Sequence, residues 1–266
     1  MRADESNVHD TVRIFERVDL GHIRRAFCFK GGYMYDFAAS YAEWKQGQCL
    51  KVDVRELRSR SPAHKWKGPW RLLLLRECCS WRLSELLNQA DFLYSSDLIL
   101  GARILLRSAL ETLAMLVYSS QAMCDVVAGK LNFHDFSDKT EKLVLGTRDN
   151  ITGYVAINIL SVLKKVDQRY PGIASLYAGL CETAHPNCEG MLTSYSESDA
   201  DSLVTVFGSR WQGRYGNQHE IVMSLILETF MSEYNDEWPV AFEALEQWLV
   251  ANDAMLESTR PKTAPP

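Results

Sequence analysis

The chain has 266 residues, of which 47% are hydrophobic, 11% aromatic and 24% charged, proportions that exclude a disordered or fibrous polypeptide and indicate a folded globular one. A chain of this length can bury about three quarters of its unfolded surface, so it needs no disulfide or structural metal to hold a core. Seven cysteines, at 28, 49, 78, 79, 124, 181 and 188, are odd in number and irregular in spacing, and the polar Met1–Asp10 stretch is no apolar signal core; reduced thiols in a cytoplasmic setting are expected.

Net charge is −5 but uneven. Residues 1–80 carry 15 Lys and Arg against 10 Asp and Glu, and residues 81–266 carry 14 against 24. The basic excess peaks at Arg55, Arg58, Arg60, Lys65, Lys67, Arg71 and Arg76, opposed only by Glu56. Trp66 and Trp70 are interleaved with these cations, as in a phosphate track with stacking platforms for nucleic acid. The competing reading is a solvated, partly irregular connector whose tryptophans pack on the core.

In chain order, Val12–Val18 reads as a strand or short helix, Gly31-Gly32 as a turn, and Tyr33–Gln46 as an aromatic-rich helix or strand. Ser61-Pro62 and Gly68-Pro69 punctuate the basic connector. A helix is expected from Trp70 to about Tyr94, with apolar residues at near-helical spacing. Ser95-Ser96-Asp97 supplies an N-cap signal for a long helix from Leu98 to about Val127. Its apolar part, Leu98–Tyr118, carries Arg103, Arg107 and Glu111, each costing about 2.5–3.5 kcal/mol near a bilayer centre. A core helix is therefore expected there, and no membrane association. Phe136–Leu145, Tyr154–Tyr170 and Ile173–Ala184 follow as helices, closed by Gly146, Pro171-Gly172 and Pro186. The period then shortens. Met191–Ser196 and Ser202–Phe207 are β-prone and flank a polar turn, which predicts a hairpin. Gly208–Asn217 is read as a turn with a chance of anion contact. Helices over Gln218–Tyr234 and Pro239–Met255 close the core, and Ser258–Pro266 is expected to be disordered.

Two segments carry polar residues of interest. Arg103, Arg107 and Glu111 lie four apart on one stripe of an otherwise apolar helix. Such a stripe either pairs internally, fixing helix register, or lines a cleft, because a buried unpaired charge is costly. Tyr177–Asn187 (YAGLCETAHPN) ends a short helix with Glu182, His185 and Asn187. His185 can serve as a general acid or base with Glu182 orienting it, or it can cap its own helix. Cys181, His185 and Cys188 have zinc-ligand chemistry, but their spacing matches no common zinc pattern. No metal or cofactor is expected. Phosphate-loop, dinucleotide-binding, nucleophile-elbow and His-Glu-x2-His motifs are absent.

Arg107-Ser-Ala-Leu-Glu111, Leu145-Gly-Thr-Arg148, Ile157-Asn-Ile-Leu160 and Tyr177-x2-Leu-Cys-Glu-x-Ala-His-Pro-Asn187, followed by Gly190 and Tyr195, resemble a bacterial family of uncharacterised helical proteins over about residues 70–235. A remoter resemblance is to the HEPN helical superfamily, whose active members are metal-independent ribonucleases of toxin and phage-defence systems. Those enzymes place an arginine shortly before the histidine. Here the nearest upstream arginine is Arg169, so a comparable site has to be assembled from separate helices, with Arg107 as the phosphate clamp and His185 as the acid or base.

The expected architecture is mainly α: a helical bundle with a small β-hairpin inserted near residues 189–208. Residues 1–69 form an N-terminal extension and basic connector packing on the core, 70–257 the helical core, and 258–266 a tail. Two functions are expected from different classes. The first is binding or metal-independent cleavage of RNA in a defence or stress system. Catalysis would fall to His185, Glu182, Arg107 and Glu111, and binding to Asn187, Arg103, Trp66 and Trp70. The second is a non-enzymatic protein-interaction module in which the Arg/Glu/His cluster is structural. The partner is accordingly RNA or a protein, with self-association into a homo-oligomer also in view.

Overall fold

The computed structural model describes residues 37–149 and 151–260. The elements expected at 12–18, the turn at 31–32, the first residues of the 33–46 segment and most of the 258–266 tail lie outside this range. The architecture is mainly α with one two-stranded antiparallel hairpin, as the periodicities predict. Among the described residues, no helix is long and apolar enough to cross a membrane.

In chain order the elements are α1 (Phe37–Gln46), α2 (Val54–Arg60), a 3-10 turn (Pro62–Lys65), α3 (Lys67–Ser95), α4 (Ile99–Val127), α5 (Phe133–Leu145), α6 (Ile159–Val166) and α7 (Ile173–Ala184). A π-turn (Cys188–Leu192) and one helical turn (Thr193–Tyr195) lead into β1 (Ser196–Asp199) and β2 (Val204–Phe207). Then come α8 (Trp211–Ser232), a second π-turn (Glu233–Glu237) and α9 (Trp238–Ser258).

The described residues form two compact units, with α1, α3, α4, α6 and α8 giving residues to both. One gathers 84–111 and 163–227 with 37–41; the other gathers 42–83, 112–162 and 228–260. In the second unit, Trp44 donates its indole N–H to Ser80 Oγ at 2.9 Å and meets Phe230 at 4.9 Å between ring centroids. Trp238 donates to Ser119 Oγ at 3.2 Å and stacks on Phe242. Their indole N–H groups are thus satisfied inside an apolar core, the usual condition for burying Trp. In the first unit, Ile99 of α4 packs with Trp211 and Tyr215 of α8 in a buried cluster.

Several element boundaries differ from those the sequence predicts, and each difference has a physical cause. The basic connector is ordered: Asp53 caps α2 through the Arg55 and Glu56 amides, and Ser61 caps the 3-10 turn, as short polar side chains do at orphaned helix donors. The α3 helix begins at Lys67, ahead of Trp70. Asp97, read as an N-cap, instead sits in the left-handed region with φ 60°. The Leu98 amide reaches the Leu93 carbonyl at 2.8 Å and the Asp97 amide reaches Tyr94 at 3.0 Å, which is a Schellman end for α3.

The helix expected over Tyr154–Tyr170 shrinks to α6, because Val155 bridges to Thr147 and Asn158 caps from its side chain at 2.9 Å. Met191–Tyr195 is a π-turn and a helical turn, and the first strand starts only at Ser196. Gly208–Asn217 is not a turn throughout: α8 starts at Trp211, ahead of the expected Gln218. Gly213 and Gly216 each cost about 1 kcal/mol in a helix. Trp211 and Tyr215, spaced four apart and buried on Ile99, outweigh them.

Candidate functional site

The predicted stripe on α4 is real, but its members face different surroundings. Arg103 is 2% exposed. Its Nε donates to Thr183 Oγ1 at 3.1 Å, its Nη1 donates to Gln218 Oε1 at 3.3 Å, and the guanidinium lies over the Tyr215 ring at 4.4 Å. Tyr215 in turn donates its hydroxyl to Glu189 Oε1 at 2.8 Å. Burial brings the Arg103 pKa down to about 10, against the opposing pull of Tyr215 and Glu189, so the group stays charged at neutral pH. Arg103 is therefore a buried member of a polar cluster, with no solvent face to offer a ligand.

Arg107 and Glu111, one and two turns further along α4, are each 28% exposed and lie 3.2 Å apart. Two residues of α7 join them. Arg107 Nε donates to Cys181 Sγ at 3.1 Å, and Arg107 Nη2 donates to the Tyr177 hydroxyl at 2.9 Å. The Tyr177 hydroxyl donates to Glu111 Oε1 at 2.7 Å. Rising residue numbers on α4 (103, 107, 111) thus meet falling numbers on α7 (183, 181, 177), so the two helices run antiparallel along this seam. Arg103, Arg107 and Glu111 on α4 and Cys181 and Tyr177 on α7 use four-residue spacing, which puts Arg107 and Glu111 and their partners on facing stripes.

This is a ring of charge-assisted bonds. Burial pulls the Arg107 pKa down, but the bonds to Cys181 and Tyr177 and the Glu111 charge outweigh it and hold it above its ordinary value. Burial pushes the Tyr177 phenol well up, and its bond to Glu111 adds to that. The seam therefore keeps a cation, an anion and a neutral phenol in fixed order.

His185 lies four residues beyond Cys181, about 6 Å along the axis. It is the C-terminal cap residue of α7: its backbone N–H donates to the Cys181 carbonyl at 3.1 Å. Its side chain is exposed, and among the described residues no hydrogen bond reaches the imidazole. Glu182 takes a different partner from the one its spacing suggests: its Oε2 accepts from the Asn187 amide at 2.6 Å. Asn187 Oδ1 accepts from the Gly190 N–H at 2.8 Å, capping the π-turn. A Cβ on Gly190 would collide with the His185 carbonyl oxygen. The His-Pro-Asn segment is thus folded tightly between the end of α7 and the π-turn that follows it.

Deeper in the same unit, His219 is 1% exposed and stacks flat on Tyr94 with 4.2 Å between centroids. Neither ring nitrogen has a hydrogen-bond partner among the described residues. Burial, helped by the Arg103 charge, lowers its pKa to about 4, so the ring is neutral at physiological pH.

Other expected site features separate. Cys181, His185 and Cys188 form no metal-binding group; among the described residues no three His, Cys, Asp or Glu gather as ligands. Trp66 is 8% exposed, packs edge-on against Phe133, and donates its N–H to Asp253 Oδ1 at 3.2 Å, which leaves no open face for a base. Trp70 is half-buried in the first turn of α3. Four of the seven cations around them are held in ion pairs. Lys65 pairs with Asp253 and Glu257, Arg71 with Glu141, Arg60 with Glu56, and Arg76 with Glu77. The linear basic run is thus broken up, with these four cations in separate ion pairs and Arg58 Nε donating to the His64 carbonyl at 3.3 Å.

The residues that complete the seam, Tyr177 and the Arg107-facing thiol of Cys181, are absent from the expected site. Their four-residue spacing, equal to that of Arg107 and Glu111, is the signal that could have found them. Comparison of the chain with protein-family models, with curated proteins and with solved structures finds no match.

Proposed function

We propose that the α4–α7 seam is a site for the phosphodiester backbone of RNA, in a metal-independent RNA-binding or RNA-cleaving protein of HEPN-like character that acts in defence or stress. One observation carries this reading: Arg107 and Glu111 meet Tyr177 and Cys181 at a partly exposed surface, with the unengaged imidazole of His185 one turn away. Arg107 spends Nε and Nη2 on its neighbours, which fixes the plane of the guanidinium and leaves Nη1 outside these bonds. A guanidinium held in this way can meet a non-bridging phosphate oxygen without reorganising. His185 takes the proton of the 2′-hydroxyl as that oxygen attacks phosphorus, and the 5′-oxygen leaves with a proton from water. The products are a 2′,3′-cyclic phosphate and a 5′-hydroxyl end. Glu182 and Asn187 act by holding the His-Pro-Asn bend.

The test is incubation with tRNA and mRNA pools in EDTA, comparing the wild type with His185→Ala. The reading expects cleavage by the wild type and its loss in the variant. Equal cleavage by both, or none by either, removes the cleaving form of the reading.

A second reading is favoured by the engagement of Arg107 Nε and Nη2 with Cys181, Tyr177 and Glu111. On that reading the seam only fixes helix register, within a non-enzymatic protein-interaction module. Arg107→Ala then lowers the melting temperature and has no separate effect on RNA.

A further inference from the structure

The surface bend that carries His185 is fastened at both ends to buried side chains. Before it, Thr183 is 1% exposed; after it, Glu189 is 8% exposed and Gly190 is buried. The residues between them, 184–188, all reach solvent in whole or in part. A short segment fixed at two points keeps little conformational freedom, and releasing either point restores it.

The first fastening is Arg103, whose Nε donates to Thr183 Oγ1 at 3.1 Å. The second is Tyr215 of α8, whose hydroxyl donates to Glu189 Oε1 at 2.8 Å. The Arg103 guanidinium lies over the Tyr215 ring at 4.4 Å, so the two fastenings touch. Burial raises the Tyr215 phenol above its ordinary pKa, and the bond to Glu189 adds to that against the opposing Arg214. The hydroxyl therefore stays a donor. A carboxylate as buried as Glu189 is costly without one.

From Glu189 the path to His185 is short. Glu189 lies in the π-turn Cys188–Leu192, and its carbonyl accepts from Ser194 Oγ at 2.6 Å. The next amide, that of Gly190, donates to Asn187 Oδ1 at 2.8 Å. The space where a Gly190 Cβ would stand is filled by the His185 carbonyl oxygen. Movement of Glu189 therefore moves Asn187 and the His185 backbone with it.

We infer that Tyr215 is a positioning residue for His185, acting through Glu189 and the π-turn. The chemical role of the imidazole rests on the RNA reading; the coupling of its placement to Tyr215 does not. Tyr215→Phe isolates that coupling. It keeps the ring that packs with Ile99 and Trp211 beneath Arg103 and removes only the hydroxyl. Glu189 is then left without its donor and turns out to water, taking the π-turn with it.

The test is backbone hydrogen exchange and histidine-labelled NMR on the full chain. In Tyr215→Phe the Gly190 amide should exchange at least about tenfold faster, the equivalent of one lost hydrogen bond. The amides of Leu106 and Leu110 in α4 should change by less than about threefold, as for a local opening. The His185 imidazole resonance, assigned by its absence from His185→Ala, should shift, while those of His64 and His134 in the second unit stay in place. Glu189→Gln keeps an acceptor oxygen for Tyr215 and should retain the protection at Gly190, whereas Glu189→Ala should lose it. Unchanged exchange at Gly190, an equal rise at Leu106 and Leu110, an unmoved His185 resonance, or equal loss in Glu189→Gln and Glu189→Ala each overturns the inference. None of these readouts requires RNA, so they decide it whether or not the wild type cleaves.

Discussion

The hydroxyl of Tyr177 stands 2.7 Å from a carboxylate oxygen of Glu111 and donates to it, while accepting from Arg107 at 2.9 Å. One phenol thus bridges a cation and an anion that already lie 3.2 Å apart on the neighbouring helix. Removing it leaves both charges paired but strips each of a partly buried hydrogen bond. Tyr177→Phe is expected to cost about 1–2 kcal/mol, or about 3–6 °C in melting temperature for a chain of this size. Urea titration measures the first and calorimetry the second. A loss below about 0.5 kcal/mol would mean that solvent replaces the bridge freely.

His219 makes acid stability a separate test. Its folded pKa is about 4, below the ordinary 6.5, so the unfolded chain binds its proton first as pH falls. The stability associated with keeping the ring neutral is complete above pH 6.5 and is lost between pH 6.5 and about 4. The span corresponds to roughly 3 kcal/mol at full shift. His219→Phe keeps an aromatic ring on Tyr94 and removes the titration, so its unfolding free energy should be flatter over that window. Parallel slopes in the two proteins would show that carboxylates, and not this imidazole, govern the acid limb.

Gly190 matters because its Cβ position is occupied by backbone, the carbonyl oxygen of His185, with the Thr183 carbonyl also close. A main-chain oxygen cannot swing aside as a side chain does. Gly190→Ala should therefore cost roughly 2–3 kcal/mol and move the His-Pro-Asn bend. On the RNA reading activity falls with it, whereas Ala at the exposed Gly208, where nothing lies within reach of a Cβ, leaves both unchanged.

The long helices were legible because their apolar residues repeat at helical spacing over many turns, and the Arg103, Arg107, Glu111 stripe follows from spacing alone. What the sequence did not reveal depends on contacts between distant segments. Trp211 and Tyr215 make a helix of a glycine-rich stretch by burying against Ile99. Asp167 caps α7 through the Gly172 and Ala174 amides at 2.9 and 3.0 Å, from a place where local rules look for no cap. Glu182 seemed the natural partner for His185 because a helical turn separates them, yet the chain bends after Ala184 and Asn187 reaches it instead. Local period is written in a few neighbouring residues; partner choice is written in the whole fold.

The basic stretch around Trp66 gives the last prediction. A base-stacking tryptophan in a phosphate track loses about 1–3 kcal/mol of nucleic-acid affinity when truncated, with little change in stability. Trp66 has the opposite setting, wedged against Phe133 with its N–H on Asp253, while neighbouring Lys65 is held by Asp253 and Glu257. Trp66→Ala should lower stability by about 3–5 kcal/mol, as for other buried aromatic truncations, and Trp66→Phe by less because ring packing survives. RNA affinity, measured by fluorescence anisotropy at a temperature where each variant stays folded, should not follow that order. If Trp66→Phe, still folded, loses as much affinity as Trp66→Ala, the indole contacts nucleic acid, and the nucleic-acid surface belongs to the second unit and not to the α4–α7 seam.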